Sequence, residues 1–190
     1  MQQNRKVYHL DTNYLIYYFQ NEAKVLSEIK QKYEKDNIKK AGDVVTRLIS
    51  NGAELRISLI ALGELIFLFM KEQERKENKT HLKFDFICKK LQSLNFILWS
   101  PQKEDLFKVK EFFNEIVNEK KEEDGFKDSY VKGSEDYLLI AMAYADKESN
   151  GFLTFDNDLI NDDSINKFIE NKNQDSEFRK RGFVITSDPG

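Results

Sequence analysis

The 190-residue chain contains a single cysteine, Cys88, so no internal disulfide can form and a reducing compartment is expected. Cys88 sits in an apolar stretch, where a thiol is expected to be buried and inert. Two prolines and eight glycines exclude collagen-like and low-complexity sequence, and no internal repeat is visible. Long apolar runs are missing too. The longest, residues 57–70, is shorter than the ~20 residues a membrane span needs, and Glu64 interrupts it. The opening MQQNRKVYHLD has no apolar region of signal-peptide length, so a soluble, cytoplasmic protein with no membrane partner is expected. Two histidines and one cysteine leave no Cys/His cluster for a soft metal.

What is present can build a core. The chain is 40% hydrophobic and 13% aromatic, enough to fold despite 33% charged residues, and its length suits one α/β domain spanning residues 1–190. The net charge of −3 argues against a strong nucleic-acid binder. A cation held by four of the carboxylates would reverse the sign for the rest of the surface, so local distribution matters more.

Taken in order, residues 7–10 form a short apolar strand running straight into a helix opened by Asp11-Thr12-Asn13, as buried parallel strands do. Residues 21–40 are charged and helix-prone. Ala41-Gly42 marks a break before another helix at 43–50, and Asn51-Gly52 ends that helix. Residues 55–58 read as a second strand, with Ser58 placed to cap a helix from Leu59 to about Arg75. A helix over 82–94, a strand over 96–99 and a helix over 104–117 follow, the last on the spacing of Leu106, Val109, Phe113 and Ile116. Residues 118–132 are the most charged and loop-like part. A helix headed by Asp136, a strand at 151–154, a polar helix near 165–169, the polar run at 171–177 and a strand at 183–186 complete the chain. This alternation predicts a mostly parallel five-stranded sheet with helices on both faces, and a ligand site beyond the carboxyl ends of the strands.

Four acids stand out in that frame. Asp11 ends the first strand, and Glu64 is the only ionisable residue between Ile57 and Met70. Glu64 shares a helical face with Ile60, Ala61, Phe67 and Leu68, so an explanation is needed for a carboxylate there. Asp136 heads a stripe of Leu139, Ile140 and Ala143, and Asp156 leaves the fourth strand with Asp158 close behind. An all-oxygen set suits Mg²⁺ or Mn²⁺, and carboxylate cages around such ions serve phosphodiester hydrolysis. Thr12, Asn13 and Thr154 are suited to supporting positions around it. Each acid also has a plain structural alternative. Asp11 could be a helix N-cap, Glu64 the partner of Arg56 or Arg47, Asp136 a first-turn acid like Glu135, Asp156 a turn residue and Asp158 the N-cap of the next helix.

Asp11-Thr12-Asn13 with Leu15-Ile16, Glu64 in an apolar helix, and an Asp136-led helix running into Thr154-Phe155-Asp156-Asn157-Asp158 together resemble the PIN-domain nucleases. The nearest likeness is to the VapC-type toxins of bacterial toxin–antitoxin pairs. The resemblance implies a PIN-like domain with Asp11, Glu64, Asp136 and Asp156 as metal ligands, Asn13 and Thr154 in support, and Asp158 as an extra acid. It implies Mg²⁺- or Mn²⁺-dependent cleavage of RNA, with an antitoxin and a second copy of the chain as partners. Phe67, Phe69 and the aromatic stretch 14–19 are candidates for the dimer surface. Basic residues Arg75, Lys76, Lys79, Lys127 and Lys132 are candidates for phosphate contacts. The chain is longer than compact toxins of that type, and residues 21–50 and 118–133 read as insertions. A housekeeping RNA-processing nuclease and a catalytically silent RNA- or protein-binding module are the competing readings. A haloacid-dehalogenase-like phosphatase would need a second acid at position 13, where this chain has Asn13.

Overall fold

The computed structural model describes residues 5–75, 79–93, 96–124, 134–172 and 181–190. Among the described residues, the elements run β1 (Val7–Leu10), α1 (Thr12–Glu22), a 3-10 turn (Val25–Ser27), α2 (Lys32–Ser50), β2 (Glu54–Ser58), α3 (Leu59–Glu74), α4 (Phe84–Ser93), β3 (Phe96–Trp99), α5 (Asp105–Asp124), α6 (Ser134–Ala145), β4 (Gly151–Leu153), α7 (Asn157–Ile160), α8 (Asp163–Lys172) and β5 (Val184–Thr186). The sheet order is β3-β2-β1-β4-β5 and every pair is parallel.

The topology follows from the sequence pattern. Central strands β1, β2 and β4 are buried at every position, as expected for short apolar strands covered on both faces, while the edge strands β3 and β5 are partly exposed. The chain steps from β1 to β2 to β3 in one direction and then returns to the far side of β1. Right-handed crossovers therefore put the early helices on one face and the late ones on the other. The packing agrees, with α1 against α2 and α3, and α5 against α6 and α8. The order reverses between β1 and β4, which leaves a crevice at their carboxyl ends.

Several local features depart from the sequence pattern. Helix α2 runs unbroken through Ala41-Gly42 and buries Ile38, Ala41, Gly42, Val45 and Leu48. A Cβ at Gly42 would overlap the Asn21 side chain, so this glycine permits close packing against α1 and breaks nothing. Half of the segment expected to be an insertion thus supplies core. On α3 the buried positions are Ala61, Leu65, Phe69 and Glu72, one step round the helix from the face expected to hold Glu64, and Phe67 is 66% exposed. On α5, Phe112 and Ile116 are buried whereas Leu106 is exposed. The same helix continues to Asp124, into the segment expected to be a loop; residues 125–133, with Lys127 and Lys132, lie outside the described residues, as do Lys76 and residues 173–180. Phe69 and Tyr14, Tyr18 and Phe19 belong to the core, which removes them as a contact surface. Cys88 is half-buried. Among the described residues, no helix is long and apolar enough to cross a membrane.

A buried polar network fixes the far end of α6. His9 of β1 meets Asp146 through Nε2 at 2.8 Å, and Arg56, its register neighbour on β2, bridges Asp146, Glu148 and Glu54. Arg181 donates to the carbonyls of Asp146 and Tyr144, closing the carboxyl end of α6. Burial holds the His9 pKa below its ordinary value despite the Asp146 partner. Its Nδ1 has no hydrogen-bond partner, which suits a neutral ring donating from Nε2.

Candidate metal centre

Asp11 stands directly beyond β1, its backbone N–H donating to Leu153 O at 3.0 Å so that the end of β1 is tied to β4. The residue occupies the N-cap position of α1, yet its side chain makes no capping bond. Instead its Oδ2 accepts from Thr154 Oγ1 at 2.9 Å. The same hydroxyl oxygen accepts the backbone N–H of Asp156 at 3.0 Å, so Thr154, itself fully buried, joins two of the predicted acids across neighbouring strands. The plain-cap alternative for Asp11 is thereby excluded.

Glu64 is reached from the other side. Thr12 Oγ1, in the first turn of α1, donates to Glu64 Oε2 at 2.5 Å. Glu64 is half-buried on α3, one and a half turns beyond the Ser58 cap whose Oγ accepts Ala61 N–H at 3.0 Å. Arg56 and Arg47, the cations that could have neutralised it, are committed elsewhere: Arg56 to the network at the far end of α6, and Arg47 to Asp188. Among the described residues, none of Asp11, Glu64, Asp136 and Asp156 forms an ion pair with Lys, Arg or His.

Asp136 lies half-buried in the first turn of α6, the helix buried almost all round from Leu139 to Ala145. Asp156 caps α7, its Oδ1 accepting the N–H groups of Asp158 (2.8 Å) and Leu159 (3.4 Å). The cap role expected for Asp158 therefore belongs to Asp156. Asp158 is exposed in the first turn of α7, and Asn13 is exposed in the first turn of α1.

The electrostatics show how close the four acids lie. Burial pushes the Asp11 carboxyl up to about 7, helped by the charges of Asp136 and Glu64 and opposed by the Thr154 hydroxyl and the Thr12 N–H. Asp136 is raised by burial, then by Asp156, Glu64 and Glu135. The fold thus gathers Asp11, Glu64, Asp136 and Asp156 at the β1/β4 crevice, as the sequence implied, and leaves Asp158 and Asn13 at its rim. Among the described residues, no three His, Cys, Asp or Glu side chains are pre-arranged to hold a metal ion. The donor chemistry nevertheless fits a hard cation: all oxygens, like-charged, partly desolvated and unneutralised.

Two contributors were not read from the sequence. Phe155, between Thr154 and Asp156, stacks on Tyr14 with centroids 4.6 Å apart and meets Tyr17 edge-on at 5.5 Å, which fixes the turn carrying both site residues. The signal was available in the aromatic run of α1, where positions 14 and 17 flank one turn. The second is the direct Thr12–Glu64 bond, which no spacing rule announces because it joins two elements distant in sequence.

Comparison of the chain with models of protein families, with curated proteins and with solved structures returns no match.

Proposed function

We propose that the protein is a PIN-like, metal-dependent endoribonuclease that hydrolyses RNA phosphodiester bonds at the β1/β4 crevice. The supporting observation is four carboxylates on four different elements, sharing one crevice and raising one another's pKa, with no cation of the described chain among them. A purely structural role offers no return for that repulsion. Asp11, Glu64, Asp136 and Asp156 would hold Mg²⁺ or Mn²⁺, which, when bound, supplies a polarised water and neutralises charge on the phosphate. The chain's own part is placement. Thr154 orients Asp11 and the backbone at Asp156, Thr12 orients Glu64, and the rigid α6 presents Asp136. Exposed Asn13 and Asp158 stand where substrate would enter.

Within this reading the protein acts in the cytoplasm as the toxin of a toxin–antitoxin pair, with the antitoxin and a second copy of the chain as partners. The test is incubation of purified protein with a mixed RNA pool in Mn²⁺, Mg²⁺ or EDTA, alongside Asp136→Asn. Metal-dependent cleavage abolished by the substitution supports the proposal. A well-folded wild type that cleaves nothing under any metal favours the silent binding module instead.

A further inference from the structure

We infer that the groove running from the carboxylates along α1 is a base-binding subsite for an unpaired nucleotide of the RNA, an inference that takes its substrate from the nuclease reading above. Asn13, Tyr17 and Gln20 fall at i, i+4 and i+7 on one face of α1, a line leading away from the crevice. Tyr17 is half-buried and close enough to Asp11 to feel its charge, and its ring meets Phe155 between the two site residues Thr154 and Asp156. From Tyr17 a groove of about 470 Å³ opens between α1 and residues 28–34, with Gln20, Ile29, Lys30, Glu34 and His81 on its walls. That volume lies within the roughly 300–1,000 Å³ of small-molecule sites.

The second, independent observation is at the groove wall. Gln20 is 5% exposed and its Nε2 donates to Thr80 O at 2.8 Å, yet its Oε1 has no hydrogen-bond donor. Buried side-chain acceptors are ordinarily satisfied. The edge of a nucleobase carries N–H donors, and its face can lie against the Tyr17 ring, a pairing that tolerates any base. A base engaged in a duplex has its edge occupied, so the subsite selects an unpaired nucleotide. Exposed Lys30 at the rim can meet the flanking phosphate, while Glu28, the nearest acid there, is bound by His81 Nδ1 at 3.2 Å. Glu34 remains on the opposite wall and steers the backbone toward Lys30.

Binding is measured by fluorescence anisotropy in Mn²⁺, with the full chain carrying Asp136→Asn so that the probe survives. The probes are a short labelled single-stranded oligoribonucleotide and the same strand made abasic. Adding Tyr17→Ala should weaken binding of the base-bearing strand by about tenfold or more, the scale of one lost stacked base, and leave the abasic strand unchanged. Tyr17→Phe, which keeps the ring, should stay within about twofold of the parent. Tyr17→Leu fills the same space without a stacking face and replaces the alanine variant if that one melts early. The inference is overturned if Tyr17→Ala or Tyr17→Leu binds like the parent, if both strands weaken equally, or if the parent does not bind single-stranded RNA. Loss of the nuclease reading is separate: wild type that fails to cleave while these binding differences hold removes the catalysis and leaves the subsite.

Discussion

Replacing Asp11 with asparagine should stabilise the fold, by an amount that depends on pH in a predictable way. In the folded chain the Asp11 pKa is pushed up to about 7, against an ordinary value of 3.8. The folded state therefore holds this proton more tightly than the unfolded state. Its contribution to stability is fully present below about pH 4 and is lost as pH rises through about 7. Three pH units at about 1.36 kcal/mol each make the ionised Asp11 cost roughly 4 kcal/mol at pH 8. Asp11 is 4% exposed, so solvent screening removes little of this. Asparagine avoids the charge and keeps an oxygen to accept from Thr154, so Asp11→Asn should gain about 2–4 kcal/mol at pH 8 and almost nothing near pH 4. For a chain of this size each kcal/mol is worth roughly 2–4 °C in Tm. Denaturant unfolding of both proteins across pH 4–8 measures the difference directly, and other titrations cancel. Mn²⁺ should then reverse the order at pH 8 by stabilising only the wild type. A variant that is less stable at every pH, or whose advantage does not grow with pH, would refute the reasoning and make Asp11 a structural residue.

Other expectations follow from the same geometry. Thr154→Val removes the hydroxyl shared by Asp11 and the Asp156 N–H, and should cost about 1–3 kcal/mol in chemical denaturation, with Thr154→Ser restoring most of it. Gly42→Ala, favoured by helix propensity by about 1 kcal/mol elsewhere, should instead lower stability here by roughly 1–3 kcal/mol because its methyl meets Asn21. The lowered pKa of buried His9 means that the unfolded state binds that proton more readily, so its contribution is present above about pH 6.5 and fades as pH falls. Asp146 acts in the same direction at lower pH: burial raises it, but the His9 bond and charge and the Arg56 bond outweigh burial and hold it low. Nitrogen NMR at pH 6 should find His9 neutral and protonated on Nε2; a doubly protonated ring would contradict this.

The sheet was legible because each strand is a short apolar run ended by a polar residue, and the alternation with helices left few topologies open. All five strands fall within a residue of where the pattern put them. Helix faces were less legible. The apolar run of α3 carries apolar residues on every side, so periodicity could not tell Leu65 and Phe69, which are buried, from Phe67, which is not. Gly42 read as a breaker because sequence does not reveal that a second helix needs its missing side chain. At the site, Asp11 and Asp136 were visible as acids where burial is costly. The roles of Asp156 and Asp158 were exchanged, since either spacing can cap α7 and only the Thr154 bond selects the first. The His9–Asp146–Arg56 network escaped notice because its members are separated by 137 and 90 residues and meet only through the sheet.

Calorimetric titration of Mn²⁺ into the purified protein near pH 7 addresses the central claim, that these four acids share a divalent cation. The account predicts saturable binding that is lost in Asp136→Asn. Repetition in buffers of different ionisation enthalpy should show release of roughly half a proton as the metal displaces it from Asp11. Absence of saturable binding, or binding unchanged in Asp136→Asn, would contradict the claim.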